Sequence, residues 1–118
     1  MEKNKRIFEL IDKFATLENN WDGDNALAPS KNTINRIIEI ANTIDAKGVN
    51  IYHTSAGANG EILLDIRNIQ DKERGIKIII YDEREVVVKF QMKRYMKQED
   101  FNFENIDELL QWVENPEI

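Results

Sequence analysis

Ile76-Lys77-Ile78-Ile79-Ile80-Tyr81-Asp82-Glu83-Arg84-Glu85-Val86-Val87-Val88-Lys89-Phe90-Gln91-Met92 is the stretch whose reading decides the fold. Two runs rich in β-branched and aromatic residues flank a short charged turn, and each run alternates. Ile76, Ile78 and Ile80 share one face of the first run, and Val86, Val88, Phe90 and Met92 share one face of the second. A connection as short as Asp82-Glu83-Arg84 joins antiparallel neighbours and leaves no room for a crossover helix.

Upstream, residues 61–67 repeat the pattern with Ile62, Leu64 and Ile66 on one face. Residues 49–54 form the first strand, joined to the second through Gly57-Ala58-Asn59-Gly60, where Asn-Gly is a strong hairpin signal. Residues 68–74 are polar and charged and read as a connection. These four strands form an antiparallel meander.

Helical spacing governs the ends of the chain. Ile7, Leu10, Ile11, Phe14 and Leu17 predict a helix over residues 3–17, stopped by Asn19-Asn20. Pro29-Ser30 opens a second helix, with Ser30 as its N-cap and Ile34, Ile37, Ile38, Ala41 and Ile44 as its apolar stripe. Lys47-Gly48 ends it. Residues 96–100 read as irregular, and Phe101, Phe103, Ile106, Leu109, Leu110 and Val113 predict a final helix that stops before Pro116. The expected fold is a single α+β domain over residues 1–118, ordered α-α-β-β-β-β-α, with the helices on one face of a four-stranded sheet.

The strand pattern also predicts which side is buried. Ile62, Leu64, Ile66, Ile78, Ile80, Val86, Val88 and Phe90 are the expected helix-facing set. Leu63, Ile79, Tyr81 and Val87 alternate out of phase with them, among Asp65, Arg67, Lys77, Glu85 and Lys89. They form a candidate interface for self-association or for another protein, the alternative being that a loop or the C-terminal helix covers them.

Composition bounds the chemistry. The 118 residues are 42% hydrophobic and 32% charged, as in a globular chain able to bury its own core. The chain has no cysteine, which excludes disulfides, thiol catalysis and cysteine-based zinc sites and points to a reducing cytoplasm. The basic start, Met1 to Arg6, is followed by Glu9, Asp12 and Lys13, not by a leader's apolar run. No apolar stretch is long enough to span a membrane.

The net charge is -6, and up to Lys97 the chain has 16 bases against 15 acids. Beyond Lys97 it has only acids: Glu99, Asp100, Glu104, Asp107, Glu108, Glu114 and Glu117. This segment reads as a solvated acidic helix partly neutralised by Lys89, Lys93, Arg94 and Lys97, or as an acidic face for a basic partner. Net acidity argues against phosphate-driven nucleic-acid binding, although Lys93-Arg94-Tyr95 interleaves an aromatic with bases.

No catalytic set is found. His53 is the only histidine and Ser30 and Ser55 are the only serines, with Ser30 better explained as a cap. Neither a metal nor an organic cofactor is expected, because one histidine leaves a transition-metal site short of ligands. Asp22-Gly23-Asp24-Asn25 begins like a calcium loop, but Ala26 falls where an oxygen is needed and no bidentate Glu closes it. Trp21, Asp22, Gly23 and Asp24 are better read as a structural turn, with Asp22 accepting backbone N–H groups and Trp21 plugging the space between helices and sheet. A ligand or enzymatic site at this loop is the alternative.

Trp21, Asp22, Gly23, Ala26 and Pro29, followed by Gly60, Ile62, Leu64 and Asp65, resemble a group of small bacterial proteins that carry a Trp-Asp-Gly motif after a first helix. The pattern there is roughly W-D-G-x-G-A, a proline, a second helix, strands and a C-terminal helix. This chain has Asn25 for one glycine of the motif, Glu61 for another common glycine and Ile66 for a frequent aromatic. The resemblance implies the fold and a bacterial origin and transfers no catalytic residue. The residues together point to a non-catalytic interaction module: an antitoxin-like, immunity-like or regulatory partner of another protein.

Overall fold

The computed structural model describes residues 3–91 and 95–115. Two helices come first, α1 (Lys5–Phe14) and α2 (Lys31–Ala46). Five strands follow: β1 (His53–Ala56), β2 (Ile62–Arg67), β3 (Arg74–Ile80), β4 (Glu85–Gln91) and β5 (Tyr95–Asp100). A short 3₁₀ turn, Phe103–Asn105, leads into α3 (Ile106–Glu114). The sheet is antiparallel throughout, in the order β1-β2-β3-β4-β5. Met92, Lys93, Arg94, Pro116 and Glu117, which entered the strand, charge and helix-end readings, lie outside the described residues, as do Met1 and Glu2.

The four-stranded meander expected from the sequence is therefore corrected to five strands. Tyr95 to Asp100 pairs with β4 along its length, from Gln91↔Tyr95 to Val86↔Asp100. This segment shows no apolar alternation because it is the edge of the sheet, and most of its residues are exposed. Edge strands commonly carry charge as a guard against pairing with another chain, so the hydrophobic signal is missing where the hydrogen bonding is present.

The first strand also begins later than expected, at His53. The segment before it is extended and tied by side chains. Asn4 is 1% exposed; its amide nitrogen donates to Asp45 Oδ1 (2.9 Å) and the Val49 carbonyl (3.0 Å), and its Oδ1 accepts from the Ile51 N–H (2.9 Å). The Asn4 amide also lowers the pKa of Asp45 from the ordinary carboxylate value. One asparagine thus fastens the start of α1 to the end of α2 and the entry to β1.

All three helices pack on one face of the sheet. Ile7 and Ile11 from α1, Ile34, Ile37, Ile40, Ala41 and Ile44 from α2, and Ile106, Leu109, Leu110, Trp112 and Val113 from α3 form one core. The sheet contributes Ile62, Leu64, Ile66, Ile76, Ile78, Ile80 and Val87 to it. Ser30 caps α2 as expected, accepting from the Thr33 N–H at 3.1 Å. Arg36 on α2 grips Glu85 at the start of β4 in a bidentate pair (2.6 and 2.9 Å), which raises the arginine's pKa.

Val87 overturns the face assignment of β4. It is 1% exposed and opposite Ile78, so it points into the helices and not toward an interface. The reason is the turn. Ile80 pairs with Glu85, leaving four residues between them, so even-numbered residues of β3 oppose odd-numbered residues of β4. Val86, Val88 and Phe90 consequently lie on the far face, with Leu63 and Ile79. Alternation alone finds two faces but not which face of one strand joins which face of the next.

Candidate functional site

The Trp-Asp-Gly loop is built from its own hydrogen bonds. Asp22 Oδ1 accepts from the N–H groups of Asp24 (2.8 Å) and Ala26 (3.0 Å), which holds its pKa below the ordinary carboxylate value. Gly23 has φ +77°, a left-handed conformation that a side chain would strain. Asn20 and Asn25 also have positive φ, and the side chains of Asn20 and Asn19 accept from the Asn25 and Ala28 N–H groups. Trp21 donates its Nε1–H to the Leu27 carbonyl at 2.9 Å and is half-buried. It packs on the loop, outside the hydrophobic core, so the expected plug between helices and sheet is corrected.

Leu27 meets Asn59 in an isolated bridge, and its N–H donates to the Ala58 carbonyl, which docks the loop on the β1–β2 turn. Asp24 is exposed. Among the described residues no group of three or more His, Asp or Glu is placed to hold a metal ion.

Asp22 supplies a pH prediction. Its folded pKa lies below the unfolded value, so its contribution is fully present above about pH 4 and is lost as pH falls through the lower folded value. The difference in urea midpoint between wild type and Asp22→Ala is expected to be largest near neutrality and to shrink in strong acid. A difference that stays constant with pH would show that the carboxylate charge plays no part in the turn.

His53 and Ser55 lie on one face of the edge strand, with His53 exposed and directly opposite Asp65. That carboxylate is already taken. Arg67 Nε and NH2 donate to its two oxygens, both at 2.9 Å, and the pairing raises the arginine's pKa. A histidine whose neighbouring acid is held bidentately by arginine lacks the orienting group of a catalytic base.

The far face of the sheet is where the structure gathers its unexplained residues. Leu63 and Ile79 lie there, side by side in the register, and Ile79 is opposite the buried Val86. Tyr81 lies just past the end of β3, half-buried under the Arg84 guanidinium at 4.9 Å. Of the four expected interface residues, the structure thus brings Leu63 and Ile79 together, sets Tyr81 at the rim and removes Val87. No helix among the described residues covers this face.

At the β2–β3 end, Arg67 lies between the rings of Tyr52 (4.5 Å) and Phe90 (5.2 Å). Gly75 makes this possible: Phe90 Cζ sits 2.9 Å from where a β-carbon on Gly75 would be, so the ring lies on the bare backbone of β3. Beside it is a cleft of about 460 Å³ lined by Arg67, Lys72, Glu73, Lys77, Phe90 and Met96. Sequence reasoning missed this cluster, although Gly75 facing Phe90 across a hairpin was a signal for a ring packed on glycine.

It also missed Arg74, whose side chain is fully buried. Its guanidinium donates to the carbonyls of Trp112 and Asn115 and to Gln91 Oε1, and stacks on the Trp112 ring at 3.8 Å. Burial lowers its pKa from the usual guanidinium value, with Asp71 opposing. Asn68 donates to the Val113 carbonyl at 2.8 Å. Residues 68–74, read as a plain connection, therefore cap the C-terminus of α3, placing a cation at the negative end of its dipole.

Two of the C-terminal acids are neutralised locally: Asp107 by Lys47 at 2.7 Å and Glu99 by Lys89 at 3.7 Å. No helix of the described residues is long and apolar enough to cross a membrane. No protein-family model, curated protein or solved structure matches the chain.

Proposed function

We propose that this chain is a non-catalytic interaction module, an antitoxin-like, immunity-like or regulatory partner of another bacterial protein in the cytoplasm, and that its open sheet face is the binding surface. One observation carries the proposal. Among the described residues three helices cover one side of a five-stranded sheet and none covers the other, which carries half-buried Leu63, Ile79, Val88 and Phe90 and exposed Met96. Contiguous apolar surface of this kind usually marks an interface. The Trp21 loop supports the reading indirectly, because Asp22 Oδ1 is engaged by the loop's own backbone.

Ile79→Lys tests it. The residue is half-buried on the open face, so the substitution is expected to change stability by less than about 1.5 kcal/mol. Association with the partner captured from cell extract should be lost. Sedimentation of wild type separates a second copy from a different protein as the occupant. Retention of the partner by a folded Ile79→Lys protein would refute the assignment of this face.

A further inference from the structure

We infer that the open face selects a partner segment carrying carboxylates, seated in the cleft at the β2–β3 end beside Lys72 and Lys77. The inference rests on the open face being a protein-binding surface and specifies the chemistry of what binds.

The charge pairing across β2 and β3 is incomplete. Lys77 stands directly opposite Asp65, the position from which a carboxylate ordinarily neutralises a cross-strand lysine. Asp65 is not free to do so, because both its oxygens accept from Arg67. Arg67 is itself locked, with a further N–H donated to the Lys72 carbonyl and an aromatic ring on either side. Lys77 is left half-buried on a central strand with no ion pair among the described residues, its ammonium 5.8 Å from the centre of the Phe90 ring. Lys72 likewise has no ion pair among them and lies 5.7 Å from the Tyr52 ring.

Two ammonium groups with no ion pair among the described residues thus line a cleft in a chain whose net charge is -6. Glu73 is the only acid among its described lining residues. The floor is apolar: Phe90 packs on Gly75, and Met96 is 67% exposed. A cation over a ring face is weakly held and remains available to a carboxylate, whose charge-assisted hydrogen bonds are stronger. In the register Val88 pairs with Lys77, and Ile79 and Leu63 stand two residues further along the same face. A segment alternating apolar and acidic residues matches both parts, with the acids at the lysines and the apolar groups on the sheet.

The test is an amide NMR titration of the full chain with three probes: a blocked Leu-Glu-Leu-Glu-Leu-Glu peptide, its Leu-Lys counterpart and a single-stranded oligothymidylate. The Leu-Glu peptide is expected to shift the amides of Lys77, Phe90 and Met96 saturably, and added salt should weaken it. Lys72→Glu with Lys77→Glu should lower its affinity by about tenfold or more, while Lys77→Arg retains it. Equal binding of the Leu-Lys peptide, indifference to salt and charge reversal, tighter binding of the oligothymidylate, or no shift with the Leu-Glu peptide would each overturn the inference. None of these outcomes bears on whether Ile79→Lys releases the captured partner, so failure of the acidic specificity and failure of the interface remain distinguishable.

Discussion

Arg74→Ala is expected to destabilise the protein by about 3–5 kcal/mol, with no change to any residue of the open face. Two effects add. Removing a fully buried side chain leaves a void under the Trp112 ring, which otherwise stacks on the guanidinium at 3.8 Å. The carbonyls of Trp112 and Asn115 also lose a charged donor at a helix end where no intrahelical donor can replace it. Arg74→Lys should recover only part of the loss, because one ammonium cannot reach Trp112, Asn115 and Gln91 in the fork geometry that guanidinium provides. Urea midpoints of the three proteins measure this. An Arg74→Ala protein as stable as wild type would show that α3 is held by its apolar face alone.

Val87→Asp should be more damaging still, costing about 4 kcal/mol or more, whereas Val88→Asp should be tolerated at about 1–2 kcal/mol. The residues are adjacent and of the same type, so composition and propensity cancel in the comparison. Val87 is opposite Ile78 inside the core and opposite Glu99 on β5, whose carboxylate already takes Lys89, so a second carboxylate there would be buried beside a like charge. Val88 is opposite Lys77 on the open face, where an aspartate would gain a cationic neighbour. Thermal melts of the two variants decide the register: equal losses, or the reverse order, would place the wrong face against the helices.

This pair also shows where the sequence was legible and where it was not. The helices were readable because each has an apolar stripe at helical spacing, and β2 and β3 because Ile62, Leu64 and Ile66 and Ile76, Ile78 and Ile80 alternate cleanly. The phase of β4 depended on the pairing register set by the Tyr81–Arg84 turn, which three successive valines do not reveal. β5 was hidden because its residues satisfy hydrogen bonds without burying apolar surface. The Asp22 and Gly23 turn was readable from local chemistry alone, since its bonds span only a few residues. Trp21 shows that a large aromatic beside a turn need not be a core residue: Trp112 is the tryptophan in the core. Asn4, Arg74 and the Lys77 cleft depend on residues brought together from distant parts of the chain, and no local pattern announces them.

One face of this sheet is the core, and the other is proposed as the surface that a partner covers. Methyl relaxation by a soluble paramagnetic chelate, measured on the dilute isolated protein and again in its complex, tests it most directly. The Leu63, Ile79 and Val88 methyls should relax more strongly in the isolated protein than those of Ile62, Leu64, Ile78 and Val87, and binding should protect the first set. Equal shielding of both sets in a dilute monomer, or continued relaxation of the first set in the complex, would contradict it.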